Sequence, residues 1–500
     1  MNGAPAAATS AAGTTPLHTA AFSGDLRSAK KLIDRCAVLQ CADDVGDTPL
    51  HIAARNNGAP MARLLIDNGA DVNCANNLTM TPLHIATQHG HVATTRLLIR
   101  AGGADVNCAT SIGFTPLHFI AHEGNARCAA LVLDGGADVR RAASRHQATP
   151  LHFAVANDHV AIARLLLERG ADVDAAAQHG VTPLHITVRE GRVRTTALLV
   201  EHGAALELAK DDGVAALHLA AKGGHVRIAE LLLERGADVE RAQGDGSTPL
   251  LCVFAAAPTP PDARVALARL LIAKGANVHH TVSGGGTLLH IAAMDDRDAA
   301  IARLLIECGA TLDAAEVHGI TPLHIAAKEG QVAIAELLLE QGADIERAND
   351  DGFTPLWIAA MQAPSEGAHV AIVQLLIAKG ADVNRDAGGG VTLLHLVARA
   401  NHGPVVRLLA DGGARIDGEA ENADTPLHLA TMSGHAEMVR LLLEKGADIN
   451  RANRAINGTA PLHIAIMRKH TAVRVARWIY CPLSSLAHVR SPPLPRSRGC

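Results

Sequence analysis

The chain has 500 residues and a formal charge of −5, with 48% hydrophobic residues but only one Tyr, two Trp and six Phe. An aliphatic composition of this kind offers few aromatic surfaces for stacking bases. The charge is also uneven. No Asp or Glu follows Asp448, while nine Arg or Lys do, so the first 448 residues hold 36 basic against 50 acidic side chains. An acidic body of that kind disfavours nucleic acid and anionic lipid.

From the N-terminus, residues 1–13 are an Ala/Ser/Thr-rich stretch expected to be a disordered tail. It lacks the basic and apolar pairing of a secretory signal. No apolar run in the chain approaches the roughly 20 residues needed to cross a bilayer. These features predict an intracellular, cytoplasmic or nuclear protein without membrane insertion.

A repeat then begins. T-P-L-H starts at Thr15, Thr48, Thr81, Thr115, Thr149, Thr182, Thr321 and Thr425. Degenerate copies start at Ala215, Thr248, Thr287, Thr354, Thr392 and Ala460, fourteen in all. Most spacings are 33 or 34 residues, with 39 after Thr248, 38 after Thr354 and 35 after Thr425. A fixed period of this length marks a stacked repeat array, in which each unit contacts only its neighbours. The first unit's second helix is polar (Arg27, Ser28, Lys30, Lys31), as suits a cap facing water.

Each cap carries the same physics. Thr48, Thr81 and Thr321 are placed to N-cap a helix, the hydroxyl accepting from an orphan backbone N–H. Pro49, Pro82 and Pro322 follow at the first helical position, where the missing donor costs nothing. His51, His84 and His324 come third in the helix. The unit at Gly319–Asp350 spells out the remainder. Ile320 and Ile325 have hydrophobic-staple spacing. The first helix ends near Gly330, and a second carries Ile334, Leu337, Leu338 and Leu339 on one face. Gly342 stops that helix, and ADIERANDDG turns toward the next cap. Helices this short need stacking neighbours to be stable.

TPLHIAAKEG with AELLLEQGADIERA resembles the ankyrin repeat, over about residues 14–480. The resemblance implies an all-α repeat solenoid of stacked helix-turn-helix units with projecting β-hairpin or turn fingers. It also implies that the cap histidine bonds locally and bridges to the next repeat. It places protein partners on a concave groove lined by the fingers and the exposed face of each first helix. In chain order the groove positions are Arg145, His146 and Gln147, Arg189 and Glu190, then Lys210, Asp211 and Asp212. Lys222, Asp245, Lys328, Glu329, Asn349, Asp350 and Asp351 follow. Phe353 and Trp357, four residues apart, stand out. Trp357 replaces the cap histidine, and either packs between repeats or meets a partner. Asn73, Asn107, Asn384 and Asn450 end G-A-D-[V/I]-N; in the family such asparagines are sometimes hydroxylated, and their plainer role is to shape the finger turn.

Two stretches break the period. STPLLCVFAAAPTPPD (247–262) and FTPLWIAAMQAPSEGAH (353–369) both lose the histidine, gain Ala-Pro and lengthen the turn between the helices. ELLLERGADVERAQGDG recurs as ELLLEQGADIERANDDG 106 residues later, and GGGTLLH recurs as GGGVTLLH. Residues 215–320 and 321–424 therefore read as a duplicated three-repeat unit, with bulged turns at 256–262 and 362–368. Gly284–Gly286 and Gly388–Gly390 lack the Lys and Ser/Thr of a phosphate loop and read as finger turns. Beyond Trp478-Ile479-Tyr480 the repeat is not completed, and residues 481–500 form a basic tail read as disordered.

No catalytic signature is present: no G-x-S-x-G, P-loop, H-E-x-x-H or kinase set. One histidine per repeat spreads along the stack instead of converging on an ion. The nine cysteines contain no C-x-x-C and read as free thiols. The leading expectation is a monomeric, non-enzymatic scaffold or adaptor with protein partners, no nucleic acid and no cofactor. The alternative is a substrate-targeting arm of a larger enzyme assembly such as a ubiquitin ligase or kinase.

Overall fold

The computed structural model describes residues 13–254, 260–282, 284–362, 367–386, 388–455 and 458–468. The two tails, most of both bulged turns and Trp478 lie outside them. The described residues hold 27 α-helices and no extended strand. The chain divides into two compact units, Met1–Ala276 and Asn277–Cys500.

Within each unit the helices alternate as first and second members of a repeat. Each first helix packs on its own second helix and on the next first helix; second helices pack likewise. The unit at Pro322–Glu329 and Val332–Glu340 is representative. Gly330, at φ +80, closes the first helix in the left-handed conformation that favours glycine, and Gly342, at φ +93, follows the second. Leu323, Ala326, Ala327, Ile334 and Leu338 are buried. The leucine one place before the cap histidine is buried in repeat after repeat, as at Leu17, Leu50, Leu83, Leu117 and Leu151. Each such burial contributes about 1.5–3 kcal/mol, which a lone helix of seven to nine residues lacks.

The fingers are turns, with β pairing reduced to isolated bridges. Among the described residues these are Thr281–Thr287, Asp386–Thr392 and Asn453–Thr459. The first two lie 105 residues apart, at matching places of the two glycine-rich fingers. Gly284, Gly285, Gly388, Gly389 and Gly390 all have positive φ, as a tight turn requires.

The bulged turns are shorter than their sequence suggests. The second helix of the first one starts at Pro261 and runs 13 residues to Ala273; that of the other starts at Ala368. Pro261, Asp262 and Ala368 therefore belong to helices. Pro261 has the fixed φ of a first helical residue, and Asp262 places a carboxylate in the positive first turn. Arg264, buried in this added turn, donates from Nε to the Val253 carbonyl at 3.3 Å. Residues 255–259 and 363–366 lie outside the described residues.

Candidate functional site

The framework that presents any partner surface is a set of hydrogen-bond ladders. At His84 the backbone N–H of Thr81 donates to Nδ1 at 3.1 Å, and Thr81 Oγ1 lies 2.9 Å from the same nitrogen. A backbone N–H can only donate, so Nδ1 is unprotonated and the hydroxyl donates to it as well. Nε2 then carries the proton and donates to the Phe114 carbonyl of the next repeat at 3.1 Å. The arrangement recurs at His51 to Met80, His118 to Ala148, His152 to Val181 and His324 to Phe353, at 3.0–3.3 Å. At His185 the equivalent Val214 carbonyl is near, but Nε2 does not reach good hydrogen-bond geometry with it.

The cap expected of Thr48, Thr81 and Thr321 takes the form of a capping box with the third-position histidine, and the hydroxyls also lie 2.8–2.9 Å from the imidazoles of His51, His84 and His324. An approach of the hydroxyl to the histidine N–H, at 3.4–3.5 Å, accompanies it at Thr15, Thr182 and Thr425. Ala215 and Ala460 have no hydroxyl and keep only the backbone half, to His218 and His463 at 3.2 and 3.0 Å. Thr48, Pro49, His51, Thr81, Pro82, His84, Thr321, Pro322 and His324 are all buried.

Burial holds these imidazoles below the ordinary value of 6.5, at His51, His152, His185, His218, His290, His324, His395 and His428. It pushes His84 and His118 down to about 4. At His18 burial also lowers the value, but the Cys41 thiol and the Asp47 carbonyl outweigh it, leaving a net rise.

A second histidine ladder runs the other way. His91, His159, His225, His369 and His435 sit at the start of second helices. Their Nε2 groups donate to carbonyls ending the previous repeat's first helix, at Arg55, His122, Arg189, Lys328 and Arg399, over 2.8–3.4 Å. Asn125 to Gly90 and Gln331 to Met294 fill the same role. The sequence places these five histidines at the opening of the second helix, and no single repeat shows the backward bond. Their recurrence ten residues after the cap position at His91, His159 and His225 is the available signal.

The fingers are joined as well. Asn107 Oδ1 accepts from Asp138 N at 2.7 Å, and its Nδ2 donates to the Gly136 carbonyl at 3.1 Å. Asn384 repeats this with Arg415 and Gly413. At several tips, the residue three before the cap position offers its carbonyl to the next finger. Asn77 N donates to Val45, Ser144 N to Ile112, Gln178 N to His146, Asp211 N to His179 and Gly244 N to Asp212, over 2.9–3.2 Å.

On this frame Arg145, His146, Arg189, Glu190, Asp211, Asp212, Lys222, Asp245, Lys328, Glu329, Asp350 and Asp351 are exposed, and Lys210 is partly so. Several answer one another: Arg189 with Glu190 at 3.1 Å, Lys210 with Asp212 at 2.8 Å, and Lys328 with Glu329 at 3.5 Å. His146 bonds to Gln178 at 3.1 Å. The Lys210 ammonium holds the Asp212 carboxyl below its ordinary value, and hydrogen bonds from Ser247 do the same for Asp245.

Two positions depart from the groove reading. Asn349 is buried, its Oδ1 accepting from Phe353 N at 2.8 Å, so it shapes the finger. Trp357 is only 2% exposed and fills the space vacated by the histidine, while Phe353, 38% exposed with its ring centroid 5.9 Å away, presents the aromatic surface. Exposed tip side chains at Val45, Leu78 and Ile112 were not singled out from the sequence. They occupy the same place as His146 and His179, and that alignment would have found them.

The seven described cysteines are free thiols. Among the described residues no group of three His, Cys, Asp or Glu side chains could hold a metal ion, and no helix is long and apolar enough to cross a membrane.

The family model for ankyrin repeats in three copies matches residues 17–110, 83–177, 173–243, 254–349, 319–387, 360–453 and 394–480. No curated protein matches. Among solved structures the human ASB11 ankyrin repeat domain is similar, at 29% identity over 46% of this chain and 99% of that one, with a TM-score of 0.41. With the family model spanning nearly all of its repeats, the chain belongs to the ankyrin-repeat family.

Proposed function

We propose that the protein is a non-enzymatic scaffold that docks partner proteins on its finger tips and on the exposed ends of its first helices. Ankyrin repeats generally mediate protein–protein interaction. The observation that carries the reading is a contrast between frame and surface. The cap, finger and turn ladders recur almost unchanged, while the exposed tip residue changes from Val45, Leu78 and Ile112 through His146 and His179 to Asp212 and Asp245. An invariant frame with variable exposed side chains suits recognition, and few of those side chains will carry the binding energy. A stack with two or more occupied stretches would also raise the effective concentration of its partners.

Proximity labelling in cells tests this. Wild type is compared with a variant carrying exposed finger substitutions between residues 210 and 353, Asp211→Lys and Asp245→Lys among them. A set of neighbours labelled by wild type and lost in the folded variant is expected. Identical labelling by both would overturn the finger surface as the docking site.

A further inference from the structure

The exposed end of each first helix carries one side chain, seven residues after the cap position, that points away from the core. In the unit Asn277–Cys500 that place is held by Met294, Lys328, Met361, Arg399, Met432 and Met467 in consecutive repeats. Four of the chain's eight methionines thus share one register position in one unit. Met294 is 56%, Met361 43% and Met467 74% exposed, and Met432 is half-buried. The corresponding places in the other unit hold no methionine: Phe22, Arg55, Gln88, His122, Ala156, Arg189 and Lys222.

Duplication did not produce this pattern. The offset of 105–106 residues brings Met294 onto Arg399, and brings residue 255, an alanine, onto Met361. Core packing does not account for it either, because the methionines that serve the core, Met61 and Met438, are almost fully buried and lie elsewhere in the repeat. Successive first helices in this unit pack on one another, so the side chains form a continuous strip. Exposed methionine is unusual, and its flexible, polarisable thioether suits adaptable binding surfaces.

Charge and spacing identify the occupant. The residue after each strip position is Asp295, Glu329, Gln362, Ala400, Ser433 and Arg468 in turn. Asp295 pairs with Arg297 and Glu329 with Lys328. From Met361 onward the residue following each strip position is never a carboxylate; Arg399 stands in the strip and Arg468 follows its last position. Repeats stack at roughly 8–10 Å, close to the rise of about 10.5 Å for seven residues of an α-helix. An α-helix laid along the strip therefore offers one side chain per repeat at heptad spacing.

We infer that this face docks an amphipathic helix of a partner protein, with apolar side chains on Met361, Met432 and Met467 and a carboxylate on Arg399. The inference rests on the scaffold reading and gives that site a partner chemistry.

The test uses the full chain with [13C-methyl]methionine and helical peptides of about 22 residues. One peptide has four heptad-spaced positions filled Leu, Glu, Leu, Leu; a second has Lys in place of Glu; a third is scrambled. The Glu peptide should shift the Met361 and Met467 methyl signals and leave Met61 and Met438 in place. It should bind at least about tenfold more tightly than the Lys peptide, and Arg399→Glu, a change at an exposed site, should reverse that order. Equal binding of the three peptides, no binding of any, or shifts confined to other methionines overturns the inference. None of these outcomes bears on the scaffold reading, which stands or falls on partner loss in the finger variant.

Discussion

His84 donates from Nε2 to the Phe114 carbonyl thirty residues ahead at 3.1 Å, while its Nδ1 takes the Thr81 backbone N–H. The Nδ1 bond requires the neutral ring and the Nε2 bond then fixes its tautomer, so protonation breaks the cap and places a charge in a buried site. This gives a direct expectation for pH.

With the folded pKa near 4 at His84 and His118 and the ordinary value at 6.5, the unfolded chain binds more protons between those limits. Stability from the ladder is full above about pH 6.5 and falls as pH drops toward 4, by on the order of 3 kcal/mol for each of these two rings. Thermal unfolding followed by circular dichroism should show the melting temperature declining through that window. In a His84→Gln, His118→Gln variant the decline should be shallower, and an unchanged slope would remove the ladder as its cause.

The two halves of the cap differ in weight. Thr81→Ala should cost only about 0.5–1.5 kcal/mol, since Ala215 and Ala460 show that the backbone-to-imidazole bond survives without a hydroxyl. His84→Ala should cost more, about 2–4 kcal/mol, because the Thr81 N–H and the Phe114 carbonyl lose their partner in a buried place. Urea titrations of the two variants compare them, and equal losses would contradict the tautomer argument.

Asn107 joins neighbouring fingers through both ends of its amide. Asn107→Asp keeps an acceptor for Asp138 N and loses the donor to Gly136. Asn107→Ala loses both, and should cost about 1–2 kcal/mol against half that for the aspartate. Hydrogen exchange at Asp138 should quicken in the alanine variant and change little in the aspartate one.

Trp357 is buried beside Phe353. With Trp478→Phe, the remaining tryptophan should emit at the blue end of its range and resist acrylamide quenching. Emission typical of a water-exposed indole would show that the ring does not fill the histidine's place.

Much of this fold was legible because one local pattern repeats and each copy reports on the others. Thr321, Pro322, Gly330 and Gly342 announce their helix boundaries through backbone chemistry that depends on near neighbours alone. What escaped was non-local. The Nε2 bond of His159 reaches back to His122, and nothing within a single repeat encodes it. Asn349 looked like a polar groove residue because a turn-forming amide and a solvent-facing one share a composition. Pro261 was read as part of a loop, since proline both breaks a helix and begins one. The candidate charges were visible as types, but the Lys210–Asp212 and Arg189–Glu190 pairings that mute them depend on side-chain direction.

The opposed histidine ladders bear on how such a chain changes length. His84 gives its proton to the repeat ahead, and His159 gives its own to the repeat behind. Removing one whole repeat leaves these donors facing equivalent carbonyls, whereas removing half of one strands a ring N–H on either side of the cut. Growth and loss are thereby confined to integral steps of the period. A copied segment of three repeats, as read at 215–320 and 321–424, can join the stack with its seams already bonded.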